Sequence, residues 1–164
     1  MFTVNKGESI ALAQDNSTTC WLTCYQMMFK WRGINTGGID TILEGIGIKM
    51  FDENSNGAKE TGLKAKDYVT ANSRLGLQSL KGGEFDQVEL EYTLEKKGPI
   101  WATMLYGANN HNIVIIGAGD EKVKYINPYW DVVKKPEIVT SKLKDLNKSL
   151  KKFNNWKGSN ACYP

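Results

Sequence analysis

Several residue types on which common active sites depend are scarce in this chain. Its 164 residues contain one histidine, three cysteines and four prolines. A single histidine cannot form an H-E-x-x-H zinc site, and an odd, low number of cysteines does not fit a disulfide-stabilised scaffold. No apolar run is long enough to cross a membrane as a helix, and the N-terminus lacks the pattern of a signal peptide. We therefore predict no metal, no cofactor and no membrane segment.

The charge and the length of the chain limit which classes of protein fit the sequence. The net charge is only +3, and the late lysines at 142, 144, 148, 151, 152 and 157 are typical of a solvated helix face rather than of a nucleic-acid interface. Hydrophobic residues make up 41% and charged residues 24% of the chain, as in ordinary globular proteins. We expect one domain spanning residues 1–164.

The hydrophobic periodicity changes along the chain. It predicts helices over 20–31, 39–46, 63–75, 85–94 and 143–153, and strands over 77–80, 100–105, 112–116 and 123–126. Residues 3–12 read as an extended lead-in and 51–57 as a polar loop. Turn-like residues between the last three strands indicate an antiparallel meander. The predicted class is α+β, with a helical first part packed on a C-terminal antiparallel sheet.

Cys20 is the candidate nucleophile. It begins the first predicted helix, and a helix N-terminus favours the thiolate over the thiol. Gln14 lies six positions earlier, and Trp21 follows directly. Read alone, Cys20 would be a small buried residue, which is how we interpret Cys24 one turn later. We expect Cys24 and Cys162 to be reduced thiols, with a disulfide between them as the alternative.

The other groups that acyl transfer by a thiol needs follow in order. His111 precedes an apolar strand and would act as the base, and Asn127 would hold its imidazole in the productive tautomer. Gln14 would donate its side-chain amide to the oxyanion beside the backbone N–H of Cys20. Asn127 also fits an ordinary turn before a proline, so Asp120 and Asp131 stand as alternatives for its role. We expect Trp21 to pack near the nucleophile and to contact substrate.

At these residues the chain resembles the papain-like cysteine proteases in their compact bacterial form. The resemblance covers 14–21, 98–101, 111–117 and 125–128, and it is closest to the bacteriocin-processing and effector branch. It implies a papain-like fold with Cys20 as nucleophile, His111 as base, Asn127 as orienting residue and Gln14 as oxyanion donor. Residues 18–19 and 128–129 depart from the plant enzymes, and the segment 33–80 carries no resemblance.

The resemblance also implies a biological role. Many proteins of the compact branch are delivered effectors or toxins, so we expect an endopeptidase that cleaves a specific protein in a target cell's cytoplasm and that travels with an inhibitory immunity partner. The route of export and the location stay open. Two alternatives remain: an acyl-transfer enzyme of the transglutaminase, deamidase or peptidoglycan amidase type, and a binding module that has lost its thiol chemistry.

Overall fold

The computed structural model describes residues 1–80, 83–129, 135–150 and 161–164. The helices of these residues are α1 (Cys20–Trp31), α2 (Ile39–Glu44), α3 (Ala58–Thr61), α4 (Tyr68–Arg74), α5 (Gln87–Lys97) and α6 (Leu143–Ser149). The strands are β1 (Phe2–Thr3), β2 (Gln78–Ser79), β3 (Ile100–Tyr106), β4 (Asn109–Gly119), β5 (Lys122–Asn127), β6 (Glu137–Lys142) and β7 (Ala161–Tyr163).

The strands form one antiparallel sheet. Its order is β2-β7-β3-β4-β5-β6, and β1 pairs with the end of β4. The register of β3 and β4 places Thr103 opposite Asn112 and Met104 opposite His111. Further along, β5 pairs with β6 so that Asn127 lies opposite Glu137. Residues far apart in the sequence are thereby brought together at one end of the sheet.

The two faces of β4 pack against different helices. Val114 and Ile116 belong to the hydrophobic cluster that contains α1. Ile113 and Ile115 belong to a second cluster, which includes apolar residues of α5 and α6. Because successive side chains of a strand point to opposite faces, this alternation explains why the whole run from 113 to 116 is apolar.

Aromatic rings fix the position of α1 on the sheet. Tyr25 stacks on Trp101 of β3 with ring centroids 5.0 Å apart, and Tyr68 of α4 meets the same indole edge-on at 5.1 Å. The indole nitrogen of Trp101 donates to the backbone oxygen of Trp21, 3.3 Å away. These contacts hold the first turn of α1 against β3 and β4.

Gly98 lies between α5 on one face of the sheet and the end of α1 on the other. It ends α5 with φ +103°, and a Cβ there would lie 2.4 Å from the ring of Trp31 at the end of α1. Only glycine combines this backbone conformation with so close a neighbour. The Gly98-Pro99 step therefore allows the chain to leave α5, pass beside α1 and enter β3.

The predicted α+β class is confirmed, with corrections to several elements. The first helix and the three central strands lie where the sequence predicted them. The helical first part does pack on an antiparallel sheet, to which the short strands β1, β2 and β7 add; of these, β2 lies within the strand predicted over 77–80. The helix predicted over 63–75 is a 3-10 turn followed by the shorter α4. The last helix ends at Ser149, and Leu150 instead bridges to Met104; residues 151–153 of that prediction lie outside the described residues.

Candidate active site

Cys20 begins α1 because the loop before it supplies local hydrogen bonds. The side chain of Asn16 accepts from the backbone N–H and the hydroxyl of Thr18, which makes an Asx turn. Thr19 is the N-cap residue, and the hydroxyl of Thr23 donates back to its carbonyl at 3.0 Å. The free N–H groups of the first helical turn then lie beside the thiol of Cys20.

The thiol of Cys20 is buried and contacts Asn112. Only 6% of Cys20 is exposed, and its Sγ donates to Oδ1 of Asn112 over 3.7 Å. Burial raises the pKa of the Cys20 thiol above its ordinary value, and hydrogen bonds from the backbone N–H groups of Asn112, Trp21 and Cys20 offset part of this rise. In this state the sulfur is therefore a neutral thiol at neutral pH.

His111 forms a chain of hydrogen bonds with Asn127 and Glu137. Its Nε2 lies 2.7 Å from Oδ1 of Asn127, and Nδ2 of Asn127 donates to the carboxylate of Glu137 over 3.4 Å. Burial lowers the pKa of the His111 imidazole below its ordinary value, and the bond to Asn127 offsets part of that effect. A half-buried, neutral imidazole of this kind can accept a proton.

The thiol and the imidazole approach the start of β4 from different sides. Asn112 faces α1 with Val114, whereas His111 shares the other face with Ile113. Both Cys20 and His111 belong to the described part of the chain, and the hydrogen bonds there include none between Sγ and the imidazole. The structure thus brings His111 together with Asn127, and Cys20 together with Asn112.

Gln14 lies in the loop that connects the two groups. Its backbone N–H donates to the carbonyl oxygen of Pro128, directly after Asn127, at 3.3 Å. Its Nε2 donates to the carbonyl oxygen of Asn16 at 2.6 Å, and its buried Oε1 has no hydrogen-bond partner among the residues that the structure describes. An amide nitrogen carries two N–H groups, so one remains for a further acceptor.

A cavity of about 810 Å³ opens at this end of the sheet. His111, Asn127 and Gln14 line it together with Glu137. Its other lining residues are mostly aromatic or apolar, and they are Met104, Tyr106, Tyr125, Tyr129 and Pro136, with Ser17 and Lys135 at polar positions. A volume of this size fits several residues of an extended peptide better than a small ion.

Cys20 is not among the residues that line this cavity, although Gln14 of the preceding loop is. Two further sequence-based candidates also lie away from it. Trp21 is only 1% exposed, and its indole nitrogen donates to the carbonyl of Ala58, so the expected substrate contact does not fit its position in the core. Asp120 follows the far end of β4, about 30 Å along the strand from His111, and pairs with the N-terminal amine. It cannot take the place of Asn127. Asp131 lies outside the described residues.

The remaining cysteines are buried and unpaired. Cys24 and Cys162 are fully buried free thiols, and burial raises the pKa of each well above its ordinary value.

Within the described ranges, no group of three or more His, Cys, Asp or Glu side chains is placed to hold a metal ion. None of the helices built from those residues is both long and apolar enough to cross a membrane.

Sequence reasoning missed Asn112, Thr103 and Glu137. Asn112 and Thr103 are buried polar residues in apolar strands, and Nδ2 of Asn112 donates to Oγ1 of Thr103 at 2.8 Å. The available signal was a polar residue inside the apolar run of β3 for Thr103, and one directly before the apolar run of β4 for Asn112. Glu137 had no such signal, because its role depends on the register of β6 against β5.

Comparisons with known proteins agree with this geometry. Residues 4–151 match the family described as papain-like cysteine protease AvrRpt2. Among solved structures, the peptidase domain of Streptococcus ComA, a bi-functional ABC transporter involved in a quorum sensing pathway, is similar with a TM-score of 0.58 and 13% identity, over 94% of this chain and 95% of that chain. No curated protein matches the chain significantly.

The family match defines the class as papain-like cysteine protease, and a thiol at a helix start beside a sheet that carries the histidine fits this class. Because the family match spans most of the chain, the protein belongs to the AvrRpt2 family of papain-like cysteine proteases. The likeness to the ComA peptidase domain supports the same fold.

Proposed function

We propose that the protein is an endopeptidase in which Cys20 is the nucleophile, His111 the base, Asn127 the orienting residue and Gln14 the oxyanion donor. The hydrogen bond between His111 and Asn127 carries this proposal. It lies in a cavity that also contains Gln14, from the loop leading to Cys20. The order of these groups along the chain matches the needs of thiol-based acyl transfer.

The proposed reaction has two stages. Nδ1 of His111 takes the proton of the Cys20 thiol as Sγ attacks the scissile carbonyl carbon, and the protonated imidazole then gives that proton to the departing amine. The backbone N–H of Cys20 and the second N–H of the Gln14 amide stabilise the oxyanion. Water then attacks the thioester carbonyl with His111 as base, which restores the thiol and releases the acid.

The first step requires the sulfur to move from Asn112 toward the imidazole. This motion breaks the bond between Sγ and Oδ1 of Asn112. Catalytic hydrogen bonds that are absent in an unliganded site often form only when substrate is bound. The neutral thiol and neutral imidazole are the correct starting forms for this proton transfer.

The decisive experiment is a comparison of new protein N-termini. A cell lysate is incubated with the wild-type protein, with Cys20→Ala and with His111→Ala, and the new N-termini are labelled and identified by mass spectrometry. We expect a small set of cleavage sites with the wild type and none with either variant, because the two residues act as a unit. Cleavage by His111→Ala at the wild-type rate would contradict the assignment.

The same assay separates proteolysis from acyl transfer. A labelled primary amine is added to a parallel reaction, so that transfer to an amine marks intact proteins whereas hydrolysis produces fragments. The aromatic cavity around His111 favours peptide substrates, since extended chains pack well against tyrosine rings. Labelled intact proteins without new N-termini would move the proposal to the transglutaminase class.

We further propose that the protein is an effector or toxin domain that cleaves a specific protein of a target cell and that is restrained by a cognate inhibitor. The resemblance to the effector branch supports this role, as does the defined cavity, which can select particular side chains. Expression of the wild type in the cytoplasm of a test cell should arrest growth, and Cys20→Ala at the same soluble level should not. Harmless wild-type expression at verified levels argues against the role while leaving the protease assignment intact.

A further inference from the structure

A chain of buried hydrogen bonds ends at the Cys20 thiol. Asn112 accepts from Sγ and donates to Oγ1 of Thr103, its direct partner across β3 and β4. Thr103 in turn bonds to the hydroxyl of Tyr68 in α4. Tyr68, Thr103 and Asn112 are each at most 2% exposed, so bulk water does not compete for these bonds.

The amide of Asn112 has a definite orientation. Its Nδ2 donates to Oγ1 of Thr103 over 2.8 Å, so Thr103 holds that end of the amide. Its Oδ1 consequently faces the sulfur, where an acceptor stabilises S–H and disfavours the thiolate.

We propose that Asn112 is a positioning residue for the nucleophile: its amide oxygen, held in place by Thr103, keeps the Cys20 thiol protonated and turned toward the α1 face of the sheet. This inference rests on the proposed role of Cys20 as the nucleophile. Asn112 thereby sets the resting reactivity of the site, and the thiol must leave it before it meets His111.

The other titratable groups around the thiol do not account for its protonation. Tyr68 and Cys24 are the described groups that interact electrostatically with Cys20. Burial raises the pKa of Tyr68 to about 12 and that of the Cys24 thiol well above its ordinary value. Both are neutral at pH 7. Burial is the main cause of the raised pKa of Cys20, and the Asn112 amide bonded to its Sγ is a polar group that a substitution can change.

The test is the pH dependence of Cys20 alkylation by iodoacetamide, followed by intact mass and peptide mapping. Asn112→Leu keeps the volume and removes the acceptor, so the pKa of Cys20 should fall and labelling at pH 7 should rise by about fivefold, the effect of one hydrogen bond. Asn112→Asp places a carboxylate beside the sulfur, so the pKa should rise and labelling should slow. The fully buried Cys24 and Cys162 serve as slow internal references.

Thr103→Val provides an independent variant. It keeps the shape of Thr103 and removes the group that orients the amide, so Nδ2 can turn to the sulfur and the Cys20 profile should again move to lower pH. Asn72→Leu is the matched control, because Asn72 is equally buried and bonds to Tyr25 and Ser79 instead. It should lose stability without changing the Cys20 profile.

Two results would overturn the inference. One is that Thr103→Val folds but leaves the pH dependence of Cys20 alkylation unchanged. The other is that the pH dependence of Cys20 alkylation shifts to higher pH in Asn112→Leu. The measurement needs no substrate, so it remains informative if the protease assignment fails. Absence of cleavage by all forms, together with the expected shifts, would refute the proposed function and leave the role of Asn112 standing.

Discussion

Nε2 of His111 lies 2.7 Å from Oδ1 of Asn127, and Nδ2 of Asn127 points to the carboxylate of Glu137. A carboxylate accepts and does not donate, so Glu137 fixes which end of the Asn127 amide faces the imidazole. The ring nitrogen beside Oδ1 must then carry the proton. This leaves the lone pair on Nδ1, the nitrogen that the proposed mechanism uses as base.

Asn127→Ala should lower kcat of proteolysis by about 10- to 100-fold, because the imidazole loses the partner that defines its tautomer. KM should change less than kcat, since the amide oxygen of Asn127 is bonded to the imidazole, although Asn127 also lines the cavity. Steady-state kinetics on a peptide taken from an identified cleavage site measure both constants. A variant with kcat unchanged and KM raised would place Asn127 among the substrate contacts instead.

Glu137→Ala should lower kcat by about fivefold, the effect of one lost hydrogen bond to the Asn127 amide. Glu137→Gln retains an acceptor and should restore most of the activity. The nitrogen-15 chemical shifts of the His111 ring report the tautomer directly and should become mixed in Glu137→Ala alone. Glu44→Ala, at an exposed position of α2, is the control; an equal loss there would mean that the effect is not specific to Glu137.

Stability should depend on pH on both sides of neutrality. Folding lowers the pKa of His111 below its ordinary value of 6.5. The contribution of the neutral imidazole to the free energy of unfolding is therefore present above pH 6.5 and is lost as the pH falls through the folded pKa. Folding raises the pKa of Cys20, Cys24 and Cys162 above 9.0, so their contribution is present below pH 9.0 and is lost as the pH rises through the folded pKa.

Urea unfolding at a series of pH values gives the slope of the free energy of unfolding against pH on the acidic and on the alkaline side of neutrality. His111→Gln should flatten the acidic slope below pH 6.5 and leave the alkaline slope unchanged, whereas Cys24→Ala should reduce only the alkaline slope. An acidic slope that persists in His111→Gln would have to come from carboxylates. In that case burial of the imidazole would not be the cause.

Local sequence signals were sufficient for the elements that carry the candidate site. The apolar spacing around α1 and the change of period at Ile100 are local, and they predicted the helix start at Cys20 and the strand of His111. Among the described residues, the strands that the sequence did not predict are β1, which has two residues, β6, which alternates between exposed and half-buried residues, and β7, which has three residues. Short or edge strands are stabilised by their partners, which a local pattern does not contain.

The polar contacts of the site depended on long-range register. Asn112 meets the thiol of a residue 92 positions away, and its amide is oriented by Thr103 across the β3–β4 pair. The sequence showed a polar residue directly before an apolar run but not its partners. The burial of Trp21 is a similar case, because its place beside Cys20 in the sequence does not reveal that α1 turns this side chain into the core.

The amide of Gln14 provides the last prediction. Its Nε2 donates one hydrogen to the carbonyl oxygen of Asn16, which orients the side chain and leaves the second hydrogen for the oxyanion. Gln14→Ala should therefore lower kcat by about 100- to 1,000-fold with KM nearly unchanged, because an oxyanion donor acts in the transition state. Gln26→Ala on α1 is the control for the loss of a glutamine. If Gln14→Ala instead raises KM and leaves kcat intact, Gln14 binds the ground state of the substrate, and the backbone N–H of Cys20 must stabilise the oxyanion without it.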